Sequence, residues 1–183
     1  MPQANLIISR DDYLAQDAQS DQKLEFFEGQ IFAMAGGTFK HAQVAGNVYG
    51  ELRQALKGKP CQPMNSDMRV HTPSGLDTYP DISVYCGEPD LGDNETTLLN
   101  PTVIIEVLSP STRDYDRGGK FAHYRSIVGL QDYLLIDPAA VLVEHFRRVG
   151  KDEWLLHVYS DLASEVVLES LSLSLSLEAI YQG

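Results

Sequence analysis

The sequence predicts one mixed α/β domain, with helices and short strands alternating along a single uninterrupted chain. Three observations carry that expectation. Val44, Val48, Leu52 and Leu56 recur at steps of four, the spacing of one helix face. Two apolar runs, ISVY after Asp81 and TVIIEVL from Thr102 to Leu108, have the length of strands. The 183 residues contain no repeat and no linker, and suffice to bury a core, so 1–183 is read as one domain.

The elements follow in order. Ser9 with Asp12 ahead of Tyr13 and Leu14 reads as an N-cap opening a short helix. LEFFEGQIFAMAGG, two apolar runs around Glu28-Gly29, reads as a hairpin that Gly36-Gly37 ends. Thr38 can cap a helix from about Phe39 to Leu56, stopped by Gly58 and Pro60. A short strand from Met68 to His71 meets the turn Thr72-Pro73-Ser74-Gly75. Tyr79 to Tyr85 alternates, with Ile82 and Val84 opposite Asp81, Ser83 and Tyr85. Residues 87–100 read as an acidic loop, Thr102 to Leu108 as a buried strand, and Tyr115 to Ile127 as a helix. Strands follow at Tyr133 to Ile136, Val141 to Arg147 and Trp154 to Tyr159. The tail from Leu171 to Leu177 has strict period two, a half-buried strand leading into a last helical turn.

Composition narrows the function classes. A net charge of −12 repels nucleic acid at long range, so any such contact needs a local basic patch or bound metal. Cys61 and Cys86 make neither a disulfide framework nor a CxxC motif, and are read as small buried hydrophobes in a reducing cytosol. The start MPQANLIISRDDY has no basic region followed by an apolar stretch, so no signal peptide is expected. No run of about 18 apolar residues occurs, so no membrane span is expected and a cytoplasmic location is.

The chemistry lies in carboxylates placed inside strands. Glu106 interrupts TVIIEVL, and an unpaired carboxylate on a buried strand costs several kcal/mol, so it must be neutralised, paired or bound to metal. A salt bridge to a cation of the next helix is one solution. Asp81, after Pro80 and ahead of ISVY, is a second acid at a strand edge. If the two strands are neighbours, both carboxylates can enter one cleft, and two acids completed by water and phosphate suit Mg²⁺. The segment SPSTRDYDRGGKFAHYRS then concentrates Arg113, Arg117, Lys120 and Arg125, either as a solvated helix face or as a phosphate-facing cluster. Lys120 and Tyr124 lie one turn apart, and Lys120 could reach back over the strand of Glu106 to stabilise charge on phosphate.

The run PDISVY…PTVIIEVLSPSTRDYDRGGKFAHYRSIVGLQDYLLIDP resembles the Uma2-like (DUF820) proteins of the PD-(D/E)xK superfamily, and the similarity extends from about Leu24 to Tyr181. The resemblance implies a restriction-endonuclease-like fold, a central mixed β-sheet flanked by helices, with a metal-dependent phosphodiesterase site. It makes Asp81 and Glu106 the metal-holding acids, with Mg²⁺ or Mn²⁺ as cofactor. The superfamily lysine two residues after the second acid is here Leu108, and Lys120 is the expected substitute. Glu25 is favoured over Glu28 as an extra acid, because alternation puts the two on opposite faces. His41 is a candidate proton relay or phosphate contact.

Other chemistries lack their motifs: no GxSxG elbow, no GxxxxGKS phosphate loop and no HExxH. The expectation is therefore an Mg²⁺-dependent endonuclease acting on DNA, with Arg113, Arg117 and Lys120 contacting nucleic acid. A nuclease fold that binds or regulates without turnover is the alternative, and Leu108 motivates it. The leucine face or edge of the tail suggests a homodimer.

Overall fold

The computed structural model describes residues 7–34 and 36–183. Residues 1–6, on which the reading of the N-terminus partly rests, and Ala35 of the LEFFEGQIFAMAGG segment lie outside them.

Local chemistry starts the chain as anticipated. Ser9 Oγ accepts the Asp12 N–H at 3.1 Å and opens helix α1 (Arg10–Asp17). Strands β1 (Leu24–Phe27) and β2 (Gln30–Ala33) form the hairpin, turning at Glu28-Gly29. Thr38 Oγ1 accepts the His41 N–H at 3.2 Å and opens helix α2 (Phe39–Ala55). Next come β3 (Cys61–Asn65), β4 (Arg69–His71), β5 (Asp77–Thr78) and β6 (Ile82–Cys86). The acidic loop contains two short strands, β7 (Leu91–Gly92) and β8 (Thr97–Leu98), before β9 (Val103–Val107).

The helix expected over Tyr115–Ile127 is divided. It comprises α3 (Arg113–Tyr115), a π-helical turn (Asp116–Lys120) and α4 (Phe121–Tyr124). The rest is β10 (Asp132–Ile136), β11 (Val143–Arg148), β12 (Trp154–Tyr159), β13 (Glu165–Leu168), β14 (Leu173–Ser176) and α5 (Leu177–Tyr181).

The central sheet has the order β12-β11-β10-β9-β6-β3; β9 and β10 are parallel and the other neighbours antiparallel. Alternation gives it two apolar faces. Val103, Ile105 and Val107 join Val44, Val48 and Leu52 of α2 on one side. Ile104 and Leu108 join Phe121, Tyr124, Tyr133 and Leu135 on the other. Each fully buried Val or Leu contributes roughly 1.5–3 kcal/mol.

A second six-stranded sheet, β2-β1-β5-β4-β8-β7, accompanies the central one. The mixed sheet was legible in the sequence; this second sheet was not, because β5, β7 and β8 have two residues each. Strand β3 carries Pro63 and also escaped notice; it sits at the sheet edge, where a missing N–H is tolerated.

Two expectations are corrected. Cys61 and Cys86 are not free thiols: they stand directly opposite in the β3–β6 register and form a disulfide. The inference of a reducing compartment, drawn from unpaired cysteines, loses its premise. The leucines of the tail are not an open face either. Leu171, Leu175 and Leu177 are buried in the core beside α2, and β14 pairs with β13. That removes the leucine face, one of the two surfaces of the tail on which pairing of two copies was expected. Among the described residues no helix is long and apolar enough to cross a membrane.

A polar clamp closes the second sheet. Arg10 donates to both oxygens of Asp77 (2.7 and 2.8 Å) and of Asp93 (2.7 and 3.0 Å). The Arg10 hydrogen bonds hold the Asp93 carboxyl down at about 2, against its ordinary 3.8. A depressed carboxyl contributes stability above its unfolded value and loses it as pH falls through the folded one. Asp93→Asn keeps a residue that tolerates the left-handed φ of 53°. It is expected to cost about 1 kcal/mol at neutral pH, shrinking toward zero near pH 2. Urea midpoints of wild type and variant from pH 7 downward check this; a gap that persists in acid would show that charge is not its source.

Candidate active site

Asp81 owes its position to Pro80. Strand β5 ends at Thr78, the chain leaves the second sheet for the central one through Tyr79 and Pro80, and Asp81 falls at the junction just before β6. Its Oδ2 accepts the Val107 N–H at 2.8 Å, which ties it to the end of β9. Strands β6 and β9 are antiparallel neighbours, with Ile82 opposite Ile105, so Glu106 and Asp81 share one end of the sheet. Glu106 Oε2 lies 3.4 Å from the Asp81 N–H.

Glu106 points to the face that α3, the π turn and α4 cover. Tyr124 donates to its Oε1 at 2.8 Å, and Lys120 Nζ lies 3.1 Å from the same oxygen. Lys120 also lies 3.1 Å from Glu25 Oε1 and 3.7 Å from Asp116 Oδ1. It therefore links the second sheet, through Glu25 on β1, to the central sheet. Thr78 of β5 donates to the same Glu25 oxygen, and Thr112 donates to Asp116 Oδ2 at 2.6 Å. Glu28, by contrast, sits exposed in the hairpin turn.

The π turn brings Asp116 and Lys120 into this interior together. Wide turns of this kind recur inside helices at functional sites. Gly119 permits it: a Cβ there would come 2.6 Å from the Tyr115 ring. Gly37 does the same for His41, since a Cβ there would come 2.7 Å from Nδ1. His41 is in the first turn of α2, and its Nε2 lies 3.3 Å from Asp81 Oδ2.

Three carboxylates, Glu25, Glu106 and Asp116, thus surround one ammonium, with Asp81 beside Glu106. Burial pushes the Glu106 carboxyl up to about 8, with Lys120 pulling the other way and Asp116 and Asp81 adding to the rise. Asp116 is raised chiefly by burial as well. Burial opposes the charge on Lys120, but Glu106, Glu25 and Asp116 outweigh it and hold the ammonium protonated. The hydrogen bond to Asp81 raises His41. Burial keeps Tyr124 a phenol, a donor to Glu106. The side chains of Asp81 and His41 keep 17% and 18% exposure and those of Glu106 and Lys120 only 5%, so the cluster opens on the Asp81–His41 side.

Asp81 and Glu106 could hold a hard divalent cation. Asp81 Oδ1 has no partner among the described residues, and Glu106 Oε2 only the long contact to Asp81 N–H. The excess of carboxylates over cations favours added positive charge. Among the described residues no three His, Cys, Asp or Glu side chains form a ready cage. Two acids completed by water and substrate oxygens therefore describe the donor set.

All five residues singled out as catalytic from the sequence, Glu25, His41, Asp81, Glu106 and Lys120, come together here. The expected phosphate contacts do not. Arg113 pairs with Asp137 at 2.9 Å and Arg117 with Glu144 at 2.6 Å, while Lys120 is buried behind Glu25 and Glu106. Thr78 and Thr112 were overlooked, and Asp116 was not assigned to the site. The i, i+4 spacing of Asp116 and Lys120 was the available signal for Asp116, but reads equally as a surface pair.

The mixed α+β fold, whose two sheets meet around a carboxylate–lysine cluster, is a restriction-endonuclease-like fold. The same fold occurs in a DUF820 crystal structure from Anabaena variabilis ATCC 29413, described as a "putative nuclease". The two superpose with a TM-score of 0.78 over 95% of this chain and 97% of that one, at 22% identity. Residues 10–179 match the Uma2 family, described as "Putative restriction endonuclease", and the chain belongs to that family. Similar proteins include the uncharacterized slr1290 of Synechocystis sp., 35% identical over 96% of this chain and 92% of that one. Another, the uncharacterized sll1609 of the same organism, is 37% identical over 82% and 86%.

Proposed function

We propose that this nuclease-like chain is a divalent-metal-dependent endonuclease that hydrolyses phosphodiester bonds in DNA. The observation that carries the reading is the ammonium of Lys120, 3.1 Å from Glu106, supplied from a helix where Leu108 cannot supply it. Membership of a family described as "Putative restriction endonuclease" supports the DNA substrate.

Asp81 and Glu106 would hold Mg²⁺ or Mn²⁺, which supplies Lewis acidity toward a phosphoryl oxygen and neutralises charge. The protein's own groups do the rest. Tyr124 and Lys120 fix Glu106 Oε1, and Lys120 pulls Glu106 toward its ionised form. Lys120 is thus a positioning residue, since carboxylates already occupy its donors. His41, at the open side of the cluster, holds a proton on Nε2 within reach of a phosphate or leaving oxygen. Asp116 and Glu25 hold Lys120 in place. Pairing of two copies would double the phosphate contacts; with the tail buried, the exposed Leu155, Leu156 and Val158 on edge strand β12 are the surface for it.

Calorimetry and plasmid nicking test the site together. Wild type is expected to bind Mn²⁺ and to nick supercoiled plasmid; Asp81→Ala should lose most of both. Metal binding unchanged in Asp81→Ala would refute the assignment of Asp81, and a folded wild type that never nicks would refute the activity.

A further inference from the structure

Positive charge is scarce on this chain, and half of its fourteen Lys and Arg, Lys23 among them, pair with a carboxylate among the described residues. Arg10, Arg69, Arg113, Arg117, Lys120 and Arg147 each pair with a carboxylate. Lys40, Arg53, Lys57, Lys59, Arg125, Arg148 and Lys151 form no ion pair among the described residues, and of these Arg125, Arg148 and Lys151 line one concavity of about 570 Å³ with Ser126 and Gln131. Asp152 is the acid on its wall.

Arg148 builds this site. Its guanidinium donates to the carbonyls of Leu130 (2.7 Å), Lys151 (2.7 Å), Arg125 (3.0 Å) and Ile127 (3.0 Å), and lies 4.4 Å over the Trp154 ring. Carbonyl partners satisfy the N–H groups without cancelling the charge. The same bonds join the loop after α4 to the turn after β11, which fixes the backbones of Arg125 and Lys151 on either side. The Arg125 guanidinium lies 5.1 Å from the Phe121 ring, and Arg125 and Lys151 are both exposed.

The concavity lies at the end of the central sheet opposite Glu106. Leu135 pairs with Glu106, and Gln131 is four residues earlier, roughly 13 Å along the strand direction. Successive phosphates of one DNA strand advance about 3.4 Å along the helix axis, so a duplex lying along the strands would cover that span in about four nucleotide steps.

We propose that Arg125 and Lys151, with the uncancelled charge of Arg148 behind them, hold the sugar–phosphate backbone of duplex DNA a few steps from the phosphate at the Asp81–Glu106 cluster. The inference rests on the reading of this chain as a DNA endonuclease and replaces Arg113 and Arg117 as its phosphate contacts. It also answers the charge of −12: long-range repulsion is overcome at one built patch, and binding is steeply salt-dependent.

Fluorescence anisotropy of a labelled short duplex in EDTA tests this without cleavage. Three proteins are compared: wild type, Arg125→Glu/Lys151→Glu, and Lys57→Glu/Lys59→Glu, whose net charge equals that of the second. Expected is a loss of about tenfold or more in affinity for the groove variant at about 0.1 M salt, and a salt slope smaller by about 2. The control should stay near wild type. Arg125→Ala/Lys151→Ala, expected to lose less in the same direction, guards against misfolding by the reversed charges. A groove variant no weaker than the control would overturn the inference and leave the nuclease reading standing. A wild type that binds no duplex at any salt would overturn both, and tighter binding of duplex RNA would overturn the DNA assignment.

Discussion

Lys120→Met is expected to lose about 3–5 kcal/mol of stability and roughly 10²- to 10³-fold in cleavage. The two losses have one origin. Lys120 is 4% exposed and is the only Lys or Arg paired with Glu25, Glu106 or Asp116 among the described residues. Methionine fills the same volume and leaves those carboxylates facing one another without an ammonium. Urea unfolding in EDTA reads the first loss, and nicking at saturating Mn²⁺ reads the second. Mn²⁺ binding should change far less than the rate, because an ammonium is no metal ligand. Leu108→Lys in that background should recover part of the activity. Leu108 is two residues beyond Glu106 on the same face, and an amine there would approach from the strand. A Lys120→Met protein that is stable and cuts normally would reduce Lys120 to a spectator.

Glu106→Gln is expected to separate stability from function. The amide keeps the shape and can still accept from Tyr124, but it is neutral. Cleavage should fall by about 10³-fold, on the order of 4 kcal/mol of lost transition-state stabilisation. Stability should move the other way above neutrality. The Glu106 carboxyl stands at about 8 in the folded protein, raised by burial above its ordinary 4.5. Between those two values the folded chain keeps a proton that the unfolded chain releases. Its contribution is therefore complete below about pH 4.5 and lost as pH rises through about 8. In EDTA, wild-type stability should decline over that window by a few kcal/mol, on the order of 1.4 kcal/mol for each step of one in pH, while Glu106→Gln declines less. Parallel pH profiles would show that Glu106 carries no buried-charge cost and would remove the electrostatic argument for a cation beside it.

Residues whose role is written in local pattern were legible before folding. Ser9 and Thr38 cap their helices because a hydroxyl ahead of an apolar period has an N–H to accept. Glu106 stood out because it is the one charge inside TVIIEVL, a strand that is otherwise apolar after its first residue. Other features depend on distant partners. The Cys61–Cys86 bond follows from the register of β3 with β6, and 25 residues of separation say nothing about register. Strands of two residues, such as β5 and β8, exist only because neighbours pair with them. The leucines of the tail alternate as any half-buried strand does, and alternation cannot tell whether this chain or another covers them.

The resemblance implied an amine near a pair of acids, while the sequence by itself determined the mixed α/β class and picked out Glu106 inside a strand and Asp81 at a strand edge. Those follow from periodicity and from the cost of burying charge, which act within a few residues. Only the tertiary structure decided which cation meets which acid. It turned Lys120 inward on a π turn made possible by Gly119, spent Arg113 and Arg117 on Asp137 and Glu144, and left Arg125, Arg148 and Lys151 in one concavity. Charge pairing is settled by distances of about 3 Å between segments far apart in the chain, a length scale that sequence order does not encode.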